Sequence, residues 1–125
     1  MTAAKFRFLE WDVYKDAREL FSLVLVLVKK IPKEYRFEFG SQIIRACLSI
    51  SLNITEGSGK NSDAELNRFI NIALGSLNET LAALDILRYN KFITEEEFAD
   101  PYRKLESISN RLGGFKKKLV ISHKS

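Results

Sequence analysis

The sequence predicts an all-α fold, an up-down-up-down antiparallel four-helix bundle. Its 125 residues include only two prolines and six glycines, too few for the many turns of a β-sandwich. Apolar residues recur every three or four positions in four successive segments, which is the pattern of amphipathic helices. Two of the segments begin with a helix-capping box. Short connections join the segments, as is typical of antiparallel bundles.

Residues 1–125 are expected to form a single domain, long enough to bury a core. The single cysteine, Cys47, excludes an internal disulfide framework and favours a reducing compartment. The N-terminal residues lack the apolar centre of a signal peptide. The apolar run Leu20–Val28 stops at Lys29, short of the roughly 20 residues that a membrane span needs. We therefore expect a cytoplasmic protein with no membrane association.

The first helix is predicted over about residues 10–30, and it is apolar on every side. Val13, Ala17, Leu20, Val24 and Leu27 follow helical spacing, while further leucines and valines occupy the remaining positions. A helix that is apolar all round is buried all round. The β-branched run also fits a strand, but the upstream spacing and the charged continuation favour a helix.

The second helix is predicted over about 38–57 and has two apolar faces. Ile43, Ala46, Cys47, Ile50 and Ile54 share one arc at 100° per residue, and a second arc holds Ile44, Leu48 and Leu52. Two apolar faces require two packing partners, one of which can be another subunit. A polar stripe separates the two faces, formed by Gln42, Arg45, Ser49, Asn53 and Glu56.

The third helix is predicted over 62–90 and the fourth over 95–121. Ser62 with Glu65, and Thr94 with Glu97, match the S/T-x-x-E capping box. Gly75 lies mid-helix, where glycine costs about 1 kcal/mol relative to alanine, a cost that is tolerable if another backbone must come close. Pro101 is a misfit in the fourth helix. Either the helix kinks there, or Asp100 caps a new helix that begins at Pro101.

Charge is distributed unevenly along the chain. Residues 101–125 contain seven Lys/Arg against one glutamate, a net of +6, whereas residues 1–100 contain 13 against 15, a net of −2. This asymmetry is typical of a nucleic-acid-binding arm, although cations also favour a helix C-terminus. The candidate phosphate contacts are Arg111, Lys116, Lys117 and Lys118, with Lys29, Lys30, Lys33 and Lys60 as alternatives.

Catalytic, metal and cofactor sites are not predicted. Gly59-Lys60 lacks the spacing of a Walker A loop and the strand that should precede it. The only histidine, His123, lies in the tail, and one cysteine with one histidine is no zinc ligand set. The sequon at Asn53 lies on a helix in a chain without a secretion signal. We therefore expect no enzyme, no cofactor and no metal.

The polar stripe is expected to be at least partly buried, because it lies between two apolar faces. Buried charges require partners, and Glu79 on the third helix is the expected partner of Arg45. Two interpretations remain open. The stripe and Glu79 form an interhelical network that fixes packing and register, or Arg45 contacts nucleic acid or a partner protein.

The stripe also carries a family resemblance. The stretch from Gln42 to Gly57, QIIRACLSISLNITEG, resembles the Q-L-x-R-A-x-x-S-I-P-A-N-I-A-E-G signature of four-helix proteins encoded in 23S rRNA intervening sequences and often labelled ribosomal proteins. Further landmarks occur in the family's order: Leu9-x-Trp11, Ile31-Pro32 and Ala73-x-Gly75-Ser76-x-x-Glu79. The sequence departs from the pattern at Ser51, where proline is usual, and at Leu52, Thr55, Lys60 and Pro101.

The resemblance implies more than the residue patterns do. The family is similar to the accessory protein of diversity-generating retroelements, a barrel-like homopentamer that binds nucleic acid and a reverse transcriptase. The resemblance therefore implies a ring-like homo-oligomer. It also implies structural roles for Arg45, Asn53, Glu56, Gly57, Gly75 and Glu79. The expected function is non-enzymatic binding of RNA or DNA through basic surface residues, as an accessory factor. The alternative is a scaffold that recruits a partner protein without binding nucleic acid.

Overall fold

The structure is a computed structural model that describes residues 5–124, with side chains over residues 5–119. Within these residues the chain has four long helices and no strand: α1 Asp12–Val28, α2 Ser41–Ser58, α3 Asp63–Tyr89 and α4 Glu95–Lys124. A 3₁₀ turn, Arg7–Glu10, precedes α1. A single helical turn, Lys33–Tyr35, and a π-helical turn, Arg36–Gly40, lead into α2. The all-helical prediction is confirmed.

Each helix packs against its two neighbours in the cycle α1–α2–α3–α4–α1. Contacting residues run in opposite order along neighbouring helices. Along α1, Asp12 pairs with Arg111 of α4, and Asp16 pairs with Lys104 of α4. Gln42 and Ser49 on α2 likewise meet Glu79 and Ser76 on α3. The buried residues between the helices include Leu20, Val24, Ile43, Ile50, Ala73, Leu84, Leu105, Ile108 and Leu112.

The expectation that α1 is buried on every side is wrong for the single chain. Leu25 is exposed, and Val26 keeps 58% of its surface accessible. A helix at the corner of a four-helix bundle touches only two neighbours, so its outer side stays uncovered. The apolar residues on that outer side do not belong to the core of this chain.

The two capping boxes differ in the structure. The Thr94 N–H donates to Glu97 Oε1 at 2.9 Å, and the Glu97 N–H donates to Thr94 Oγ1 at 3.0 Å, so this box is complete. Ser62 Oγ accepts from the Glu65 N–H at 3.2 Å, but the Glu65 carboxylate accepts from Arg68 instead. Only half of the first predicted box forms, because Arg68 lies within reach one turn along the helix.

Pro101 lies inside α4, which continues unbroken from Glu95, so of the two alternatives the new helix start at this residue is wrong. Proline has no N–H to donate to the carbonyl of the preceding turn. Its ring is fully buried among the core residues, and this apolar packing holds it within the helix.

Gly57, at which the second helix is predicted to end, lies inside α2. The helix α2 ends at Ser58, and Gly59 is the residue that follows it. A Cβ at Gly57 would lie 3.0 Å from Leu66 Cδ1 and 3.2 Å from Phe69 Cβ. Glycine at this position lets α2 and α3 approach closely beside their connection.

The helix α3 is long and apolar enough to cross a membrane, by length and composition alone. Core helices of soluble bundles pass the same test, so the observation carries little weight. Ile70, Leu77 and Leu84 of α3 lie in the bundle core, while the exposed surface of the helix carries Glu79 and Asp85.

Candidate nucleic-acid interface and assembly surfaces

The structure places the candidate phosphate contacts at opposite ends of the bundle. The antiparallel helices bring the α1–α2 and α3–α4 connections to one end, with Lys29, Lys30 and Lys33. The start of α1, the α2–α3 connection and the last turns of α4 form the other end, with Lys60 and Lys116–Lys118. A single basic surface that includes all the candidates therefore does not form within one chain.

The end with Lys29, Lys30 and Lys33 is balanced in charge. Lys30 Nζ pairs with Glu97 Oε2 at 2.7 Å. The Lys29 carbonyl accepts from Arg36 Nη2 at 3.1 Å. Five basic residues at this end, at positions 29, 30, 33, 36 and 91, stand against five glutamates at positions 34, 38, 95, 96 and 97. This end is therefore a poor match for a polyanion.

Arg111 is held against α1 by two aspartates. Its Nε donates to Asp16 Oδ2 at 3.1 Å, and its Nη1 lies 3.4 Å from Asp12 Oδ2. Asp16 also accepts from Ser107 Oγ at 2.7 Å and Lys104 Nζ at 3.3 Å. Burial pushes the pKa of Asp16 up, but the hydrogen bonds and the positive charges outweigh it and keep this pKa below its usual value. These contacts give Arg111 a structural role between α1 and α4.

The other end, which we call the basic end, carries the remaining candidates. Lys117 and Lys118 are exposed and Lys116 is half-buried. Over residues 5–119 none of these three lysines forms a salt bridge. Lys60 is 3.7 Å from Glu56 and lies over the Phe69 ring, with Nζ 5.2 Å from its centroid. These contacts leave Lys60 at the surface of the basic end.

Two arginines at the basic end were missed by the sequence analysis. Arg7 donates to the Ser58 carbonyl at the end of α2 at 3.1 Å, and its guanidinium lies over Trp11 at 5.5 Å. Arg68 lies over Phe69 at 4.5 Å. The signal that could have found them is an arginine beside, or one turn before, an aromatic residue, a spacing that permits a cation–π contact.

Charge at the basic end is unbalanced. Outside the Arg111 contacts, the basic side chains outnumber the acidic ones by seven to four. The basic group is Lys5, Arg7, Lys60, Arg68, Lys116, Lys117 and Lys118, and the acidic group is Glu10, Glu56, Asp63 and Glu65. The chain therefore presents one end with net positive charge and one end without it.

The polar stripe forms two small groups and not one network. Gln42 Nε2 donates to Glu79 Oε2 at 2.9 Å. Ser49 Oγ accepts from Asn53 Nδ2 at 2.9 Å and from Ser76 Oγ at 2.8 Å. The expected pair of Arg45 with Glu79 does not form within the chain, because Gln42 is the residue that faces Glu79. Arg45 is exposed, and in the region with described side chains it has no salt-bridge partner.

Apolar residues lie exposed on the outer sides of α2 and α3. Leu48 and Leu52 on α2 keep 40% and 53% of their surface accessible, and Ile72 on α3 keeps 40%. A groove of about 440 Å³ opens between α2 and α3 at the charge-balanced end, lined by Tyr35, Phe39, Ile86 and Phe92 among others. Phe37 and Tyr89, at the same end, are 85% and 84% accessible. Apolar exposure of this kind marks surfaces that bind another protein surface.

The structure offers little for catalysis. Among the described residues no three metal-ligating side chains cluster. Burial raises the pKa of the Cys47 thiol to about 12, so this thiol is a core residue and not a nucleophile. A groove of about 730 Å³ between α3 and α4 contains Asp85, Arg88 and Glu95, but Arg88 forms salt bridges to both carboxylates.

Comparison with known proteins finds a matching family and similar solved structures. A family model described as 23S rRNA-intervening sequence protein matches residues 10–114. A solved protein of Bacteroides thetaiotaomicron VPI-5482, described as a protein of unknown function from the S23 ribosomal protein family, is 29% identical to the chain with a TM-score of 0.73. The alignment covers 80% of this chain and 94% of that one. A search of curated proteins finds no match.

Proposed function

The chain belongs to the 23S rRNA-intervening sequence protein family, and we propose that it is a non-enzymatic, self-assembling four-helix protein that binds nucleic acid through its basic end. The observation that carries the proposal is the lysine cluster Lys116–Lys118 at the end of α4, exposed or half-buried and without salt bridges among residues 5–119. Lysines that no carboxylate neutralises are available to phosphate oxygens.

The neighbouring cations extend this surface. Arg7, Lys60 and Arg68 lie at the same end, each over an aromatic ring. The rings hold the cationic groups in place without neutralising their charge. Lys60 and Arg68 also pair with Glu56 and Glu65, so Arg7 is the cation of this group without a carboxylate partner among the described residues. Because such contacts are made to phosphate groups, the proposed binding has little base specificity.

Self-assembly increases the strength of this binding. A homo-oligomer presents several basic ends to one polyanion, so weak individual contacts add up through effective concentration. The exposed Leu48, Leu52 and Ile72 support association with other copies. The family resemblance favours a homopentameric ring.

Fluorescence anisotropy with labelled structured RNA, duplex DNA and single strands tests the binding. We expect micromolar affinity that falls steeply as salt rises, because each neutralised phosphate releases counterions. Replacing Lys117→Glu and Lys118→Glu together should weaken binding by at least about tenfold. The matched control is Lys29→Glu with Lys33→Glu, the same charge change at the charge-balanced end, which should leave affinity nearly unchanged. Absence of salt-sensitive binding at micromolar protein would overturn the proposal.

A scaffold that recruits a partner protein is the second candidate. The exposed Phe37 and Tyr89 beside the aromatic groove favour it, since aromatic residues are enriched at protein interfaces. The resemblance suggests a reverse transcriptase or another protein as the partner. Failure of nucleic-acid binding, together with specific binding of such a partner that Phe37→Ala abolishes, would favour the scaffold.

A further inference from the structure

We propose that Arg45, Leu48 and Leu52 on α2 of one copy pack against Glu79, Gly75 and Ile72 on α3 of a second copy, with Arg45 and Glu79 forming a salt bridge between the copies. The proposal rests on the self-assembly part of the proposed function. It identifies the two surfaces that meet.

The first surface is a ridge on the outer side of α2. Leu48 and Leu52 are a helical turn apart and both exposed. Arg45 lies one turn before Leu48, on the same outer side, and is exposed. Its guanidinium has no salt bridge in the region whose side chains are described. Two apolar side chains and one cation without a salt bridge among the described residues therefore lie in a row. A complementary surface carries apolar residues and one carboxylate.

The second surface lies on the outer side of α3 and has that composition. Ile72 is exposed and apolar. Glu79 is an exposed carboxylate whose one side-chain hydrogen bond among residues 5–119 comes from the neutral amide of Gln42. Between them lies Gly75, where an added Cβ would meet no heavy atom within 4 Å. Glycine inside a helix costs about 1 kcal/mol relative to alanine, and no contact with the described part of the chain explains its presence here. A side chain from a second copy that packs against the bare backbone would explain it.

The two surfaces match in register when the helices run in opposite directions. Along α2 the order is Arg45, Leu48, Leu52, with steps of three and four residues. Along α3 in reverse the order is Glu79, Gly75, Ile72, with steps of four and three. Both surfaces extend over seven residue steps, or about 10 Å of helix. The arrangement brings arginine to glutamate, Leu48 to glycine, and Leu52 to isoleucine.

The same arrangement explains why Arg45 and Glu79 do not meet within one chain. Both lie on the outer sides of their helices, and Gln42 is the α2 residue that reaches Glu79. The contact is heterologous when each copy directs α2 towards one neighbour and α3 towards another, and its repetition then closes into a ring if the rotation between copies permits. Since α2 and α3 are antiparallel within each chain, pairing α2 of one copy antiparallel to α3 of the next makes α2 point in the same direction in every copy of the ring.

Charge reversal tests the salt bridge, with self-association measured by sedimentation equilibrium and folding by circular dichroism. Arg45→Glu or Glu79→Arg alone should weaken association at least about tenfold, because like charges then face each other. The double variant should recover to within about threefold of the unmodified protein. Arg103→Glu and Glu96→Arg make the same charge changes at exposed positions of α4 and should leave association unchanged.

The outcomes separate the two proposals. An unmodified protein that is monomeric at working concentration overturns self-assembly, and this interface with it. An unmodified protein that assembles, with an Arg45→Glu variant that assembles equally well, overturns the interface alone. A double variant that folds but stays dissociated also overturns it, because Arg45 and Glu79 then do not face each other.

Cross-linking provides a test that does not depend on charge. A Leu48→Cys variant mixed with a Gly75→Cys variant should form disulfide-linked dimers on mild oxidation, since Cys47 is buried and does not compete. Either variant alone should form several-fold fewer dimers. Equal yields in the mixture and in the separate variants would contradict the pairing of these two positions.

Discussion

Asp16 on α1 accepts a 2.7 Å hydrogen bond from the Ser107 hydroxyl on α4, across 91 residues of sequence. The same carboxylate accepts from Lys104 and Arg111, and its side chain is only 14% exposed. Lys104 in turn pairs with Glu19 at 2.6 Å. This cluster fixes the register between the first and last helices of the bundle.

Replacing Asp16→Ala should destabilise the protein by about 1–3 kcal/mol at pH 7, because Ser107, Lys104 and Arg111 lose their shared acceptor. The folded-state pKa of Asp16 lies below the ordinary value of 3.8. Its contribution is therefore complete above that value and is lost as the pH falls through the folded-state pKa. Urea denaturation at fixed protein concentration measures the free energy of unfolding of the variant and the parent. The difference between the two should be present at pH 7 and should narrow towards pH 3. Glu106→Gln, an exposed carboxylate on α4, is the control and should show no such difference.

Replacing Thr94→Ala should lower the free energy of unfolding by about 1 kcal/mol, since it removes the side-chain acceptor for the Glu97 N–H at the start of α4. Thr94→Ser keeps the hydroxyl and should retain most of the stability. Thermal denaturation followed by circular dichroism measures both. Equal losses in the two variants would show that the threonine methyl group, and not the cap, stabilises the helix start.

The fold was predictable because helix periodicity and helix ends are local properties. The four helices begin and end within about three residues of the predicted bounds. Two details differ from the sequence prediction, one for a tertiary reason and one for a local reason. Pro101 stays within α4 because the core buries its ring, and Arg68 displaces half of the Ser62 capping box.

The candidate site was less predictable, because a charge pattern along the chain does not show which acid lies opposite in space. Arg111 looked free in sequence, yet its partner Asp12 is 99 residues away. Lys30 is similarly paired with Glu97. Periodicity also cannot distinguish an apolar face that enters the core from one that stays exposed on the single chain, as Leu25 and Leu48 illustrate.

Cys47 should be unreactive in the folded protein. Burial raises the pKa of its thiol to about 12, so almost no thiolate exists near pH 8. Ellman's reagent at pH 8 should label it only after denaturant unfolds the chain, and the labelling rate should rise with the unfolded fraction. Rapid labelling without denaturant would show that the α2 core opens at low free energy.

Two glycine-to-alanine substitutions should have opposite effects on the free energy of unfolding of the monomer, measured in dilute solution. Gly57→Ala should lower it by about 1 kcal/mol or more, because the new Cβ would lie 3.0 Å from Leu66 and 3.2 Å from Phe69. Gly75→Ala should raise it by up to about 1 kcal/mol, since alanine favours the helix and meets nothing within 4 Å. At higher concentration Gly75→Ala should nevertheless associate more weakly than the parent, because the methyl group occupies the space proposed for Leu48 of the next copy. Denaturation and sedimentation on the same samples measure both effects, and a Gly75→Ala protein that is more stable and associates equally well would show that no second chain approaches this helix.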